Sequence, residues 1–211
     1  LGLVAALLES KESKKGQVVD AAMTDGSALL MTMIYSMQSS GMWKTTMGSN
    51  LLDGGSHFYD TYECKDGKFI SIGSIEPQFY ALLCQIAELD EKVFSKQMSR
   101  DLWPEQKEEI KKIFLNKTRD EWCELMEGTD VCFAPVLDMS EAPHHPHNKE
   151  RKTFIDLEGV TQPAPAPRFS RTEPEVVSSP SIVGEHTSEV LSSIGLSEED
   201  IGSLKSSGAV A

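Results

Sequence analysis

The sequence predicts an α/β fold, and three observations carry that prediction. Two strand-length runs flank an Asp66-Gly67 pair, three later segments carry apolar residues at helical spacing behind recognisable start signals, and Val131 to Leu137 is one apolar run of strand length. With 211 residues, 39% of them hydrophobic, the chain is long enough for one sizeable core or two small ones.

Taken in order, Leu1 to Leu8 is apolar, begins without Met, and reads as the end of a helix from a larger domain. It lacks a basic leader and falls far short of the roughly 20 residues a membrane helix needs. Gly16 to Ala22 predicts a short strand after the basic turn at Lys14 and Lys15, and Ser27 to Met37 an apolar helix ending near Gly41. Phe58 to Cys64 and Lys68 to Gly73 predict a hairpin, because Asp-Gly suits the positive φ angles of a tight turn. Pro77, followed by Phe79, Leu82, Leu83 and Ile86, predicts a helix from Glu76 to near Leu89. Pro104 opens another, with Trp103, Ile110, Ile113 and Phe114 as its stripe. Thr118 with Glu121 forms a capping box for a third, ahead of Trp122, Leu125 and Met126. Val131 to Leu137 reads as a buried strand, and the proline-rich Gln162 to Pro180 as an extended linker. Two short helices close the chain, Gly184 to Ile194 and Ser197 to Leu204, the second capped by Ser197 with Asp200 three residues on.

The formal net charge is −13, with no basic patch to offset it, which argues against nucleic acid or an anionic membrane as partner. The same charge argues against a phosphate grip built from these residues alone. Cys64, Cys84, Cys123 and Cys132 form no C-x-x-C pair and sit in apolar contexts, so they predict reduced thiols packed in an intracellular core.

Met23, Met31, Met33, Met37, Met42 and Met47 fall in one short stretch. Flexible thioethers suit a surface that accepts apolar chains of varied shape, but the residues alone favour a methionine-filled core helix. His144, His145 and His147 suggest a metal site, yet Pro143 and Pro146 break the helical spacing and no acid or Cys stands where a ligand is needed, so no metal is expected. There is no G-x-S-x-G, P-loop or G-x-G-x-x-G. Glu76 stands out because Pro77 forces it to the helix cap, where Glu is a poor choice for the free N–H groups. A carboxylate there stays ionised and suits a group that orients an imidazole; the plain alternative is a solvated glutamate.

Several segments carry a resemblance in their order and spacing. They are Lys15-Gly16-Gln17-Val18-Val19-Asp20-Ala21-Ala22-Met23, Leu52-Asp53-Gly54-Gly55, Tyr59-Asp60-Thr61-Tyr62, Ile75-Glu76-Pro77-Gln78-Phe79-Tyr80, Cys132-Phe133-Ala134-Pro135-Val136-Leu137, Pro167-Arg168-Phe169-Ser170-Arg171-Thr172 and Gly184-Glu185-His186-Thr187. Together they resemble the family III coenzyme A transferases and racemases, most closely the α-methylacyl-CoA racemase branch.

The resemblance implies a large Rossmann-like domain and a smaller α/β domain, in dimers whose chains interlock, with each active site between the large domain of one chain and the small domain of the other. On that scheme residues 1–22 end the large domain, 23–51 connect, 52–148 form the small domain, 149–183 link, and 184–211 return to the large domain. It implies inversion at C2 of a 2-methyl-branched acyl-CoA thioester by proton abstraction and return. Coenzyme A is then part of the substrate, and no separate cofactor is needed. Glu76 matches a family Glu that orients a catalytic His. That His, in a Gly-His-Asp motif, and the partner Asp, in an Ala-Asp-Phe motif, do not occur in these residues. The segment alone is therefore expected to be inactive. Met23, Met33, Leu51, Leu52 and Ile75 match the acyl-binding surface. The alternatives are a family coenzyme A transferase, which tends to carry a glycine-rich loop where Ile75 to Phe79 stand, and a non-catalytic interaction fragment. The resemblance leaves the compartment open between mitochondrion or peroxisome in a eukaryote and cytoplasm in a bacterium; Gly208 to Ala211 is no Ser-Lys-Leu type signal.

Overall fold

A computed structural model describes residues 1–176 and 178–210. Val177, in the expected linker, and Ala211, at the end of the expected returning segment, lie outside the described residues. The chain forms two compact units, Leu1–Val136 and Leu137–Ala211, and mixes helices with two small sheets.

The first unit opens with α1 (Gly2–Ser13), which stops at Lys14 in the left-handed conformation. The strand expected at Gly16 to Ala22 does not form; no neighbouring strand offers a ladder among the described residues, and strand propensity without a partner leaves irregular chain. The expected Ser27 to Met37 helix is two helices, α2 (Met23–Leu30) and α3 (Thr32–Ser39), separated at Met31, whose N–H is shared between the carbonyls of Ser27 and Ala28. No residue of α1, α2 or α3 is buried. Met23 is 89% and Met33 57% exposed, so the reading of a methionine-filled core helix is overturned.

The core lies between Phe58 and Val131. β1 (Tyr59–Glu63), β2 (Phe69–Gly73) and β3 (Phe133–Pro135) form an antiparallel sheet in that order, with Tyr62 opposite Ile70 and Ile72 opposite Phe133. Tyr62, Ile70 and Ile72 point to the buried face, as strand alternation requires. The expected hairpin is present, with residues 65–67 as its loop between Cys64 and Lys68. Cys64 accepts from the Gly67 N–H and donates to the Lys68 carbonyl, and only Gly67 has a positive φ, of 74°. β3 is a half-buried edge strand, correcting the expected buried one: Val131 is covered, whereas Ala134 and Val136 face out.

α4 (Pro77–Ile86) buries Tyr80 and Leu83, so of the expected stripe of Phe79, Leu82, Leu83 and Ile86 its inner face keeps Leu83 at the centre and shifts toward Tyr80, leaving Phe79, Leu82 and Ile86 half-buried. The Tyr80 hydroxyl explains the shift, because it donates to the Phe94 carbonyl inside the core. α5 (Glu91–Phe94) leads into α6 (Trp103–Phe114), which buries Trp103, Gln106, Ile110 and Phe114, and α7 (Arg119–Met126) begins with the expected Thr118–Glu121 capping box. The rings of Tyr62, Phe114 and Trp122 meet in succession, the first pair tilted at 5.2 Å and the second edge-to-face at 5.1 Å.

The second unit contains α8 (Pro146–Glu150), the hairpin of β4 (Phe154–Leu157) and β5 (Val160–Pro163), α9 (Thr187–Ser193) and α10 (Glu198–Ser206). The stretch expected as linker from Gln162 thus starts inside a strand. The two-residue turn of this hairpin takes positive φ at Glu158 and Gly159, 53° and 82°, and the Asp156 carboxylate accepts the Gly159 N–H. The expected Ser197–Asp200 capping box starts α10. No helix among the described residues is long and apolar enough to cross a membrane.

Candidate functional site

The strand-to-helix corner Gly73 to Pro77 presents Glu76. Glu76 is the N-cap of α4 with extended backbone (φ −70°, ψ 144°), as Pro77 demands, and its side chain makes no cap hydrogen bond. The carboxylate is exposed and makes no hydrogen bond to the helix N–H groups that come after it. The backbone leading into Glu76, by contrast, is pinned. The buried Ser74 hydroxyl donates to the Val131 carbonyl at 2.5 Å, the Ser74 N–H donates to Phe58 O at 3.0 Å, and the Gln97 amide donates to the Ser74 and Ile75 carbonyls at 3.0 and 2.9 Å.

Beside this corner the open face of the sheet forms a cavity of about 480 Å³. Thr61, Ser71, Gly73 and Ala134 make its floor of small residues, and Leu52 and Tyr59 line it as well. Gly73 lies beside the Tyr59 ring, 3.4 Å from where a Cβ would stand, which is ordinary van der Waals contact. Cys132 lines the cavity with a positive φ of 57°, and its carbonyl accepts the Gly73 N–H at 2.8 Å. Partial burial, then the charges of Glu76 and Asp130, push the Cys132 thiol up. Glu76 does not line the cavity itself.

All four cysteines are free, but they are not all core residues as expected: Cys64 is buried, Cys84 and Cys123 are half-buried, and Cys132 is exposed because the edge strand leaves its side open. Burial pushes Cys64 and Cys123 up to about 11 and raises Cys84 as well. None is a ready thiolate nucleophile near neutral pH. No group of three or more His, Cys, Asp or Glu side chains suited to a metal occurs among the described residues, and His144, His145 and His147 lie on a short 3₁₀ turn and the start of α8.

Of the residues singled out in the sequence, Leu52 lines the cavity, whereas Leu51 and Ile75 are half-buried against the core. Met23 and Met33, on α2 and α3, do not line the cavity. Sequence reasoning missed Gln97, Ser74 and Cys132. Nothing local marks Gln97, which acts 22 and 23 residues away along the chain.

The model of CoA-transferase family III matches residues 1–187, and the chain belongs to that family. Within it, the chain is 47% identical to the alpha-methylacyl-CoA racemase of Mus musculus and 43% identical to that of Homo sapiens, each over 98% of its own length. It covers 55% and 54% of those proteins, so it spans about half the length of the curated relatives it matches. Among solved structures, a CAIB/BAIF family protein from Brucella suis matches with a TM-score of 0.66 at 19% identity, over 91% of this chain and 52% of that one. That likeness carries the fold.

Proposed function

We propose that the protein inverts the stereocentre at C2 of 2-methyl-branched acyl-coenzyme A thioesters. The observation that carries this reading is the placement of Glu76: an ionisable carboxylate at the end of a pinned backbone segment, at the start of α4, with no hydrogen bond to the helix N–H groups, in a chain 47% identical to an alpha-methylacyl-CoA racemase. One base removes the C2 proton, the resulting enolate-like species is stabilised, and an acid on the opposite face returns a proton. Glu76 orients the imidazole of the family Gly-His-Asp motif and favours its protonated form. Leu51, Leu52, Ile75, Met23 and Met33 contact the acyl chain. Coenzyme A enters as part of the substrate.

The whole protein is an interlocked homodimer, with residues 1–22 and 184–211 in a Rossmann-like large domain, 52–148 in the small domain, and 23–51 and 149–183 connecting them. Gly-His-Asp and Ala-Asp-Phe are not in this sequence, so the segment alone turns over no substrate. Loss of each matched acid–base group removes factors of about 10² to 10⁴. The test is proton–deuteron exchange at C2 of a 2-methylacyl-CoA. Exchange by the full-length protein, absent from residues 1–211 and slowed by Glu76→Gln, supports the reading. Exchange by residues 1–211 at the full-length rate overturns it, as does a full-length protein with none.

A further inference from the structure

The loop before β1 is held far more tightly than a connector requires. Asn50 is 0% exposed, and its amide is used at both ends: the oxygen accepts the Lys44 N–H at 2.7 Å, and the nitrogen donates to the Lys44 carbonyl at 2.9 Å and to Asp53 Oδ2 at 2.7 Å. Asp53 also accepts the backbone N–H groups of Asn50 and Gly48 at 2.7 and 3.2 Å. The buried Ser56 hydroxyl donates to the Leu51 carbonyl at 2.8 Å. From outside, the Lys107 ammonium of α6 donates to the Gly54 carbonyl and pairs with Asp60 on β1. There is no slack in this loop, because a Cβ on Gly55 would fall 2.5 Å from the Asn50 carbonyl oxygen.

These polar groups converge on one apolar product. Leu51 is turned against the core and Leu52 onto the cavity wall, while Asn50, Asp53 and Lys107 do not line the cavity. The cavity is of mixed character, with Asp60, Thr61 and Ser71 in its lining and Leu52 as an apolar wall residue. A hydrogen-bonded lock of this density holds that side chain to a fraction of an ångström, and where an apolar side chain meets an acyl chain such small displacements discriminate substrates that differ by a methylene. We infer that Asn50 and Asp53, clamped by Lys107, are positioning residues that fix how far Leu52 reaches into the sheet cavity and so select the acyl chain by length. The inference rests on the acyl-thioester reading above.

The test uses the full-length protein and a series of 2-methylacyl-CoA thioesters of increasing chain length. Leu52→Ala changes the wall directly; Asp53→Asn loosens the lock from within, and Lys107→Met loosens it from α6 by removing the partner of the Gly54 carbonyl and of Asp60. All three should move the long-to-short ratio of kcat/KM in the same direction by about tenfold, mainly through KM, the size that one or a few methylenes carry. Hydrogen exchange at the Asn50 and Gly55 amides should speed up in Asp53→Asn and Lys107→Met but not in Leu52→Ala. Wild-type turnover with an unchanged ratio in Asp53→Asn and Lys107→Met, or an equal loss on every chain length, overturns this inference alone. Absence of turnover by the wild type on any acyl-CoA overturns both readings.

Discussion

The His57 imidazole and the Tyr80 hydroxyl meet at 2.8 Å in the centre of the core, where His57 is 0% exposed. Tyr80 donates its proton to the Phe94 carbonyl at 2.8 Å, so it accepts from His57, and His57 carries its proton on Nε2. Nδ1 is buried without a hydrogen-bond partner, and the imidazole ring packs against those of Phe58 and Phe94.

Burial pushes His57 down to about 4 from an ordinary value of 6.5. The folded state therefore binds fewer protons than the unfolded state between those values, and stability rises with pH across that window. The contribution is complete above the unfolded value and is lost as pH falls toward 4, by roughly 3 kcal/mol in all. Urea unfolding at pH 7 and pH 5 should show a loss in wild type that is clearly smaller in His57→Gln. Equal losses in the two proteins would place the acid sensitivity elsewhere.

Glu76 makes no cap hydrogen bond, so Glu76→Gln should leave the thermal midpoint within about two degrees while lowering kcat of the full-length protein by about 10 to 10³, with KM little changed. Comparing kcat, KM and midpoint separates the roles. A lowered midpoint with unchanged kcat assigns Glu76 to the helix start.

Gly55→Ala puts a methyl carbon 2.5 Å from the Asn50 carbonyl oxygen and 2.6 Å from its nitrogen, both backbone atoms that cannot swing aside. The substitution should destabilise the chain by about 1–3 kcal/mol, the usual range for overpacking. Chemical denaturation measures it. A neutral result would show that the loop has room to relax.

Phe114 is fully buried between Tyr62 and Trp122, and its carbonyl accepts the Trp122 indole N–H at 2.9 Å. Phe114→Ala should cost about 3–5 kcal/mol, whereas exposed Phe169→Ala should cost little. A similar small cost at both positions would contradict this account of the core.

Local chemistry is legible in the sequence. Pro77 starts α4, Thr118 with Glu121 and Ser197 with Asp200 cap α7 and α10, and Asp66-Gly67 joins β1 to β2, because each signal acts on neighbours within four residues. Even there, local rules fail where the usual residue is missing. The hairpin of β4 and β5 turns through Glu158, and Glu is not a residue that advertises a positive φ. The family, likewise, is legible from the order of short motifs, and Glu76 from its misfit with capping.

What the sequence by itself determined was therefore the set of elements that neighbouring residues specify, together with the family. Only the tertiary structure decided which faces are buried and what holds the candidate site. Tyr80 turns into α4's inner face beside Leu83 because Phe94 and His57 supply partners for its hydroxyl, and Gly16 to Ala22 is irregular because no strand lies alongside it among the described residues. Lys107 reaches Gly54 across 53 residues, and Gln97 pins Ile75 across 22. Hydrogen bonds and side-chain contacts act over a few ångströms of space, whereas sequence patterns report only a few positions of chain, so pairings at such separations become visible only once the chain has closed on itself.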